Sequence, residues 1–257
     1  MKLAISNIAW QNFEDEKAYE VLIQYGIKYL EIAPGRFDLN PENINTKSFE
    51  IVAMQALLFG KPEFNIFSTF EIRAEMLNYL KKVIDFGHKA GAKVLVFGSP
   101  KNRLVGDMPK SKAYSIAEEF FTEIGNHAAQ YKMKFCIEAN SKDYGADFIT
   151  STQDAFSFYS GLSNPGIGFH LDTGVMTINN ESPVEIIENY CQYIDHLHIS
   201  EPFLVQTGAG RTDHRLISRL LKENKYQNHI SIEMKNGLKP DNIETVRESI
   251  EFCLDVY

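Results

Sequence analysis

The feature that most constrains this chain is an alternation of two sequence periods. Eight short runs are rich in β-branched and aromatic residues: KLAISNIAW from residue 2, IKYLEIA at 27–33, IVAMQALLF at 51–59, AKVLVFGS at 92–99, KFCIEAN at 134–140, IGFHLDTG at 167–174, YIDHLHIS at 193–200 and HISIEMK at 229–235. Between them run stretches in which apolar residues recur three or four apart, at 14–25, 71–90, 113–131, 152–162, 183–190, 213–224 and 243–256. The first kind fits strands and the second fits amphipathic helices. Strand alternating with helix throughout predicts a parallel sheet.

Eight such units close most economically into a (β/α)8 TIM barrel of the α/β class. With 257 residues, 44% of them hydrophobic, the chain can bury the core of one such domain spanning residues 1–257. YGIKYL, AGAKVL and SNPGIGF each place a glycine between helix and strand, where a left-handed C-cap is expected at Gly26, Gly91 and Gly166. One unit departs from the pattern. Residues 34–50 contain Pro34, Gly35, Pro41 and several Asn, so the second outer helix is expected to be short or missing. The irregular stretches 60–69 and 100–109 follow strands three and four and would lie over the barrel mouth.

Charge and cysteine usage narrow the function classes. A formal net charge of −8 repels nucleic-acid phosphates and anionic lipid. Cys136, Cys191 and Cys253 are odd in number and far apart, unlike a disulfide framework or a zinc knuckle. The start, MKLAISNIAW, is too short and too polar for a signal peptide or a membrane span, and a cytoplasmic location is expected.

Four runs pass through apolar residues and then present a metal-competent side chain near their carboxyl ends: FCIE at Glu138, FHLD at Asp172, HLH at His198 and SIE at Glu233. The intervals are 34, 26 and 35 residues, close to one strand-helix unit each, so a parallel barrel would gather the four at its mouth. Taken singly, each reads equally well as a strand-end polar group, with Asp172 of DTG capping a turn or helix. Taken together, three carboxylates would raise one another's pKa unless a cation compensates them. Three carboxylates and an imidazole suit Mn²⁺, Mg²⁺ or Co²⁺, with Zn²⁺ also accommodated.

The series Glu138, Asp172, His198, Glu233, set in CIEAN, FHLDTG, HLHISEP and SIEMK, resembles the xylose-isomerase-like TIM-barrel superfamily. Within it the likeness is to the sugar phosphate isomerase/epimerase and ketose 3-epimerase branch. FGSPKNR at 97–103 resembles a loop of the same family, and the likeness covers nearly the whole chain by strand order. The resemblance implies that Glu138, Asp172, His198 and Glu233 are the metal ligands and that Glu138 and Glu233 are also the catalytic acid/base pair. It implies a sugar or sugar phosphate as the small-molecule partner and a place in carbohydrate metabolism, and family members often dimerise, which makes a homodimer possible; the acidic charge leads to the expectation of no nucleic acid or membrane partner. Two family features are absent: Val175 stands where the epimerases usually have a histidine, and Leu204 where they usually have an arginine.

Other residues are placed by strand alternation and by their loops. Cys136, His170, His196 and Ser231 fall one layer beneath the four ligands, either as partners for them or as satisfied interior groups. Lys101 and Arg103 put positive charge at the mouth for a substrate phosphate or carboxylate, or form a solvated turn. Asn140, Tyr144 and Lys235 sit where groups binding sugar hydroxyls would be useful. Trp10 and Phe67 either stack on a sugar face or pack in the core.

The expected chemistry is proton abstraction next to a carbonyl, through an enediolate. Return of the proton on the opposite face gives epimerisation, and return to the neighbouring carbon gives isomerisation. Three rivals follow. One is a metal- or sugar-binding barrel without catalysis, suggested by Val175 and Leu204. Another is an apurinic-site nuclease of the endonuclease IV type, disfavoured by Val175 and the acidic charge. The third is a dehydratase or hydroxy-acid isomerase on the same fold.

Overall fold

A computed structural model of the chain describes residues 1–46 and 49–257. Eight strands close in chain order into a barrel: β1 (Lys2–Ser6), β2 (Tyr29–Ile32), β3 (Glu50–Met54), β4 (Val94–Phe97), β5 (Lys134–Ile137), β6 (Ile167–Asp172), β7 (Ile194–Ser200) and β8 (His229–Glu233). The α-helices are α1 (Asp15–Gln24), α2 (Phe70–Ala90), α3 (Lys110–Gln130), α4 (Thr152–Leu162), α5 (Thr173–Ile178), α6 (Pro183–Tyr190), α7 (His214–Glu223) and α8 (Asn242–Val256). The expected barrel is therefore the observed one.

By its internal contacts the chain divides into two compact units, Met1–Ile32 with Thr46–Val52 and Leu171–Tyr257, and Ala33–Asn45 with Ala53–His170. In the first, β1 pairs with β2 and β8, and β7 pairs with β8, all parallel, with His198 opposite Ser231 and Ser200 opposite Glu233. Ser182, Asp213 and Asp241 cap α6, α7 and α8, each accepting a backbone N–H of the first turn.

In the second unit, β4 pairs with β5 and β5 with β6, placing Val96 opposite Cys136 and Cys136 opposite Gly168. An aromatic cluster fills the layer between this sheet and its helices, with ring centroids of Phe97 and Phe135 5.4 Å apart and of Phe121 and Phe158 also 5.4 Å apart. Each large buried ring of this kind contributes a few kcal/mol, about 3–5 kcal/mol when truncated to alanine. Thr69 caps α2, and Gly91 ends it at φ +94°.

The second outer helix is replaced by two short 3-10 turns, Pro34–Phe37 and Pro41–Asn43. Both start on proline, which presets a first turn, and Pro41, seven residues after Pro34, would lack the N–H that a helix continuing from Pro34 needs. Residues 47 and 48 of that stretch lie outside the described residues.

Two local expectations are corrected. The run IGFHLDTG does not stay extended to residue 174, because Asp172 turns the chain into α5 by accepting the N–H of Val175 at 2.6 Å. Gly166 is not the left-handed cap after α4; Ser163 takes that role at φ +47°. Gly166 serves close approach instead, since a Cβ on it would stand 1.8 Å from the carbonyl oxygen of Gly125 in α3. The three cysteines are buried and free. Among the described residues no helix is long and apolar enough to cross a membrane.

Candidate metal centre

The carboxyl ends of β6, β7 and β8 present Asp172, His198 and Glu233, all buried. Asp172 uses both oxygens: Oδ1 accepts the Val175 N–H, and Oδ2 accepts the Ser200 hydroxyl at 2.7 Å. Ser200 is itself fixed, its N–H donating to Thr173 Oγ1 at 2.8 Å and its Oγ accepting the Gly174 N–H at 2.9 Å. Gly174 permits this contact, because a Cβ there would stand 2.8 Å from both Ser200 Oγ and the Glu201 backbone. His198 Nδ1 lies 3.2 Å from Glu233 Oε2 and 3.9 Å from Asp172 Oδ2.

The other ring nitrogen of His198, Nε2, lies 3.0 Å from the carboxylate of Glu31 on β2, and Nε2 of His196 lies 3.3 Å from the same carboxylate. Burial works against a charged imidazole at His198, yet Glu31 and Glu233 outweigh it and hold the pKa well above the ordinary value. Burial also opposes the charge on Glu31, but the two histidines keep its carboxyl far below the usual range. Asp172 goes the other way. Burial first, and then the nearby charge of Glu233, push it up to about 7 despite His198 and Ser200.

Glu138 stands on the loop just past β5 and is held differently. Its N–H donates to Phe97 O at 3.3 Å, and its carbonyl accepts Nη2 of the fully buried Arg103 at 2.8 Å. The carboxylate lies against Gly98, where a Cβ would stand 2.2 Å from Glu138 Oε2. Burial lowers the Arg103 pKa to about 10, and Glu138 and Asp147 act to raise it. Asp147 in turn accepts the N–H groups of Val105 and Gly106 at 2.8 and 2.9 Å, tying down the loop that carries Arg103.

Within the first unit Asp172, His198 and Glu233 each offer one ligand atom, and these atoms all lie within 4.8 Å of one another. The donor set fits a divalent cation. Asp172 is driven toward protonation by burial first and then by the charge of Glu233, and a cation beside the two carboxylates would relieve both. Cys136, His170, His196 and Ser231, expected one layer beneath, are all buried.

The remaining residues singled out in the sequence divide by exposure. Lys101 and Lys235 are exposed, and Tyr144 is half-buried in the turn Lys142–Tyr144. Asn140 is buried, its N–H donating to Ile149 O at 3.2 Å. Arg103 is inside the protein rather than at the surface of the loop. Trp10 is buried with Nε1 donating to Asp15 at 2.7 Å, and Phe67 packs edge-on against Phe148. Val175 is buried in the first turn of α5, while Phe203 and Leu204 both take left-handed backbone, at φ +61° and +54°.

Glu31 and Ser200 were not singled out in the sequence. The signal for Glu31 was present, a carboxylate inside the apolar run YLEI, since a charged residue in a buried strand needs a partner.

Inosose dehydratase of Clostridium botulinum (strain Eklund 17B / Type B) is 22% identical over 274 residues, covering 91% of this chain and 89% of that protein. The crystal structure of apo 3-keto-D-glucoside 4-epimerase from E. coli superposes with a TM-score of 0.84 at 15% identity, over 99% of each chain. D-psicose 3-epimerase of Clostridium cellulolyticum H10 with D-tagatose gives 0.81 at 16%, over 100% of this chain and 99% of that one. At such identities the structural likeness speaks for the fold. The xylose isomerase-like TIM barrel family matches residues 20–256, and the chain belongs to that family.

Proposed function

We propose that the protein is a divalent-metal-dependent isomerase or epimerase of a sugar or sugar phosphate. The observation that carries the reading is the buried group of Asp172, His198 and Glu233 within the first unit, to which the family resemblance adds Glu138 as the fourth ligand. These four residues would hold the ion, with Mn²⁺, Mg²⁺ or Co²⁺ matching the donor set better than Zn²⁺. When bound, the cation supplies Lewis acidity that makes a proton next to a substrate carbonyl easier to remove.

The chain's own groups then move the proton. One of Glu138 and Glu233 takes it from carbon and the other returns it, and the carbon that receives it decides between epimerisation and isomerisation. Asp172, with both oxygens engaged by Ser200 and Val175, orients rather than transfers. Lys101, Asn140, Tyr144 and Lys235 are the candidates for holding substrate oxygens, and Arg103 bears on the reaction through the backbone of Glu138.

A panel of ketoses, aldoses and their phosphates, incubated in D₂O with Mn²⁺, Mg²⁺ or Co²⁺ and followed by NMR, tests this. Solvent deuterium should enter at a carbon next to the carbonyl, and Glu138→Gln and Glu233→Gln should abolish the exchange. Metal-dependent turnover at the wild-type level in either variant would sink the paired acid/base assignment. The likeness to inosose dehydratase favours a second reading, loss of water after the same proton abstraction. Mass analysis separates the two, since the dehydratase product is lighter by one water.

A further inference from the structure

Glu31 has no exposed surface, and the proposed chemistry does not use it. A buried carboxylate costs several kcal/mol unless it is paired. Its neighbours are two imidazoles from β7, Nε2 of His198 at 3.0 Å and Nε2 of His196 at 3.3 Å. The two histidines are two residues apart on one strand and therefore point the same way, their rings meeting edge to face at 5.4 Å. One carboxylate thus serves both rings. Glutamine would serve them less well, because it carries no charge and, with its oxygen in the place of Oε1, turns an NH₂ group toward Nε2 of His198.

His198 is held from both edges. Nε2 faces Glu31, and Nδ1 faces Glu233 at 3.2 Å and Asp172 at 3.9 Å. We propose that Glu31 is a positioning residue that fixes the His198 ring by its Nε2 edge, so that Nδ1 is the nitrogen presented to a cation beside Asp172 and Glu233. A carboxylate on the far nitrogen of a ligating histidine sets its tautomer and orientation and makes the near nitrogen a better donor. The inference rests on the reading of the four-residue cluster as a metal centre.

Glu31, His196 and His198 also lie within 4.8 Å of one another, close enough to bind an ion themselves. An ion there together with one beside Asp172 would require His198 to bridge both through a ring stripped of its last N–H proton, whereas the positioning role leaves that proton in place on Nε2.

The test is Mn²⁺ titration calorimetry of the wild type, Glu31→Gln, Asp172→Asn and Glu233→Gln, with thermal unfolding of each metal-free protein alongside. The expected result is one Mn²⁺ per wild-type chain and an affinity about 10- to 100-fold weaker in Glu31→Gln. Wild-type affinity in folded Glu31→Gln overturns the proposal. So does binding of two ions, one of them lost in that variant.

A measurement on the wild type holds if the variant does not fold: ¹⁵N NMR of the histidines in the Mg²⁺-loaded protein should find the His198 proton on Nε2 and none on Nδ1, and the reverse tautomer overturns the proposal. If Asp172→Asn and Glu233→Gln bind Mn²⁺ as the wild type does, the metal-centre reading itself fails. If they lose the ion while Glu31→Gln keeps it, only the positioning role fails.

Discussion

The candidate ligands are held in place by two different means. At the ends of β6, β7 and β8, the side chains of Asp172, His198 and Glu233 are oriented by polar partners, the hydroxyl of Ser200, the N–H of Val175 and the carboxylate of Glu31. Past the end of β5, Glu138 is placed through its backbone, which bonds Phe97 and Arg103, and by the bare face of Gly98, with the charge of Arg103 nearby. The first arrangement depends on charge and hydrogen bonding, and its strength varies with protonation. The second adds a steric element, the space that Gly98 leaves for the carboxylate. The two should therefore fail in different ways when a single group is changed.

Gly98→Ala should produce the largest effect. Its Cβ would collide with Oε2 of Glu138, the far end of a flexible side chain, so the fold can accept the methyl by letting the carboxylate swing away. Displacement of a catalytic group by about 1 Å costs roughly 100-fold in rate. The expected outcome is a fall of about that size in kcat/KM with a melting temperature near that of the wild type. Gly166→Ala is the contrasting control, since its Cβ would meet backbone in α3, which cannot swing away. That variant should lose stability first. Full activity in Gly98→Ala would show that shape does not hold Glu138.

Ser200→Ala probes the other arrangement and should have an intermediate effect. It removes the donor to Asp172 Oδ2 while leaving the N–H of Val175 on Oδ1. Loss of a partner that orients a metal-binding carboxylate costs about 10-fold in metal affinity, at the lower end of the usual range. Mn²⁺ calorimetry checks this, and an unchanged affinity would mean that the cap on Val175 orients Asp172 unaided.

The same contrast explains what the sequence made legible. Asp172, His198 and Glu233 could be read because each is a metal-competent side chain near the carboxyl end of a largely apolar strand, one unit from the next, and Glu138 because it follows the same rule just past β5. The barrel was legible for the same reason, from eight strand runs alternating with seven helical stretches. What orients these groups could not be read that way. Ser200 meets Asp172 across 28 positions and Glu31 meets His198 across 167, contacts that barrel closure creates and no local period announces. Arg103 looked like a mouth cation because a loop residue after a strand is usually solvated, but the backbone of Glu138 needed a buried donor. The glycine of SNPGIGF marked a close packing against α3 and was misread as a cap, since both uses call for the same residue.

The smallest effect concerns two carboxylates on either side of one serine contact. Asp172, crowded by burial and by Glu233, is pushed up to about 7. Glu201, the residue after Ser200, is also buried, and burial raises it, but hydrogen bonds from His214 at 3.1 Å and Thr212 N–H at 3.0 Å more than offset this and its pKa is lowered. Hydrogen bonds already satisfy Glu201, whereas Asp172 is crowded by Glu233, which accords with proposing only the latter as a cation ligand. A carboxyl with a lowered folded-state pKa stabilises fully above its unfolded value, near 4.5, and that contribution disappears as pH falls through the folded value. Glu201→Gln should therefore melt below the wild type at pH 6, with the gap closing as the pH is lowered beneath about 4.5. Thermal unfolding across that range decides it: a gap that stays constant would mean that the Glu201 contacts stabilise without regard to its charge, and that the two carboxylates do not differ in the way their surroundings imply.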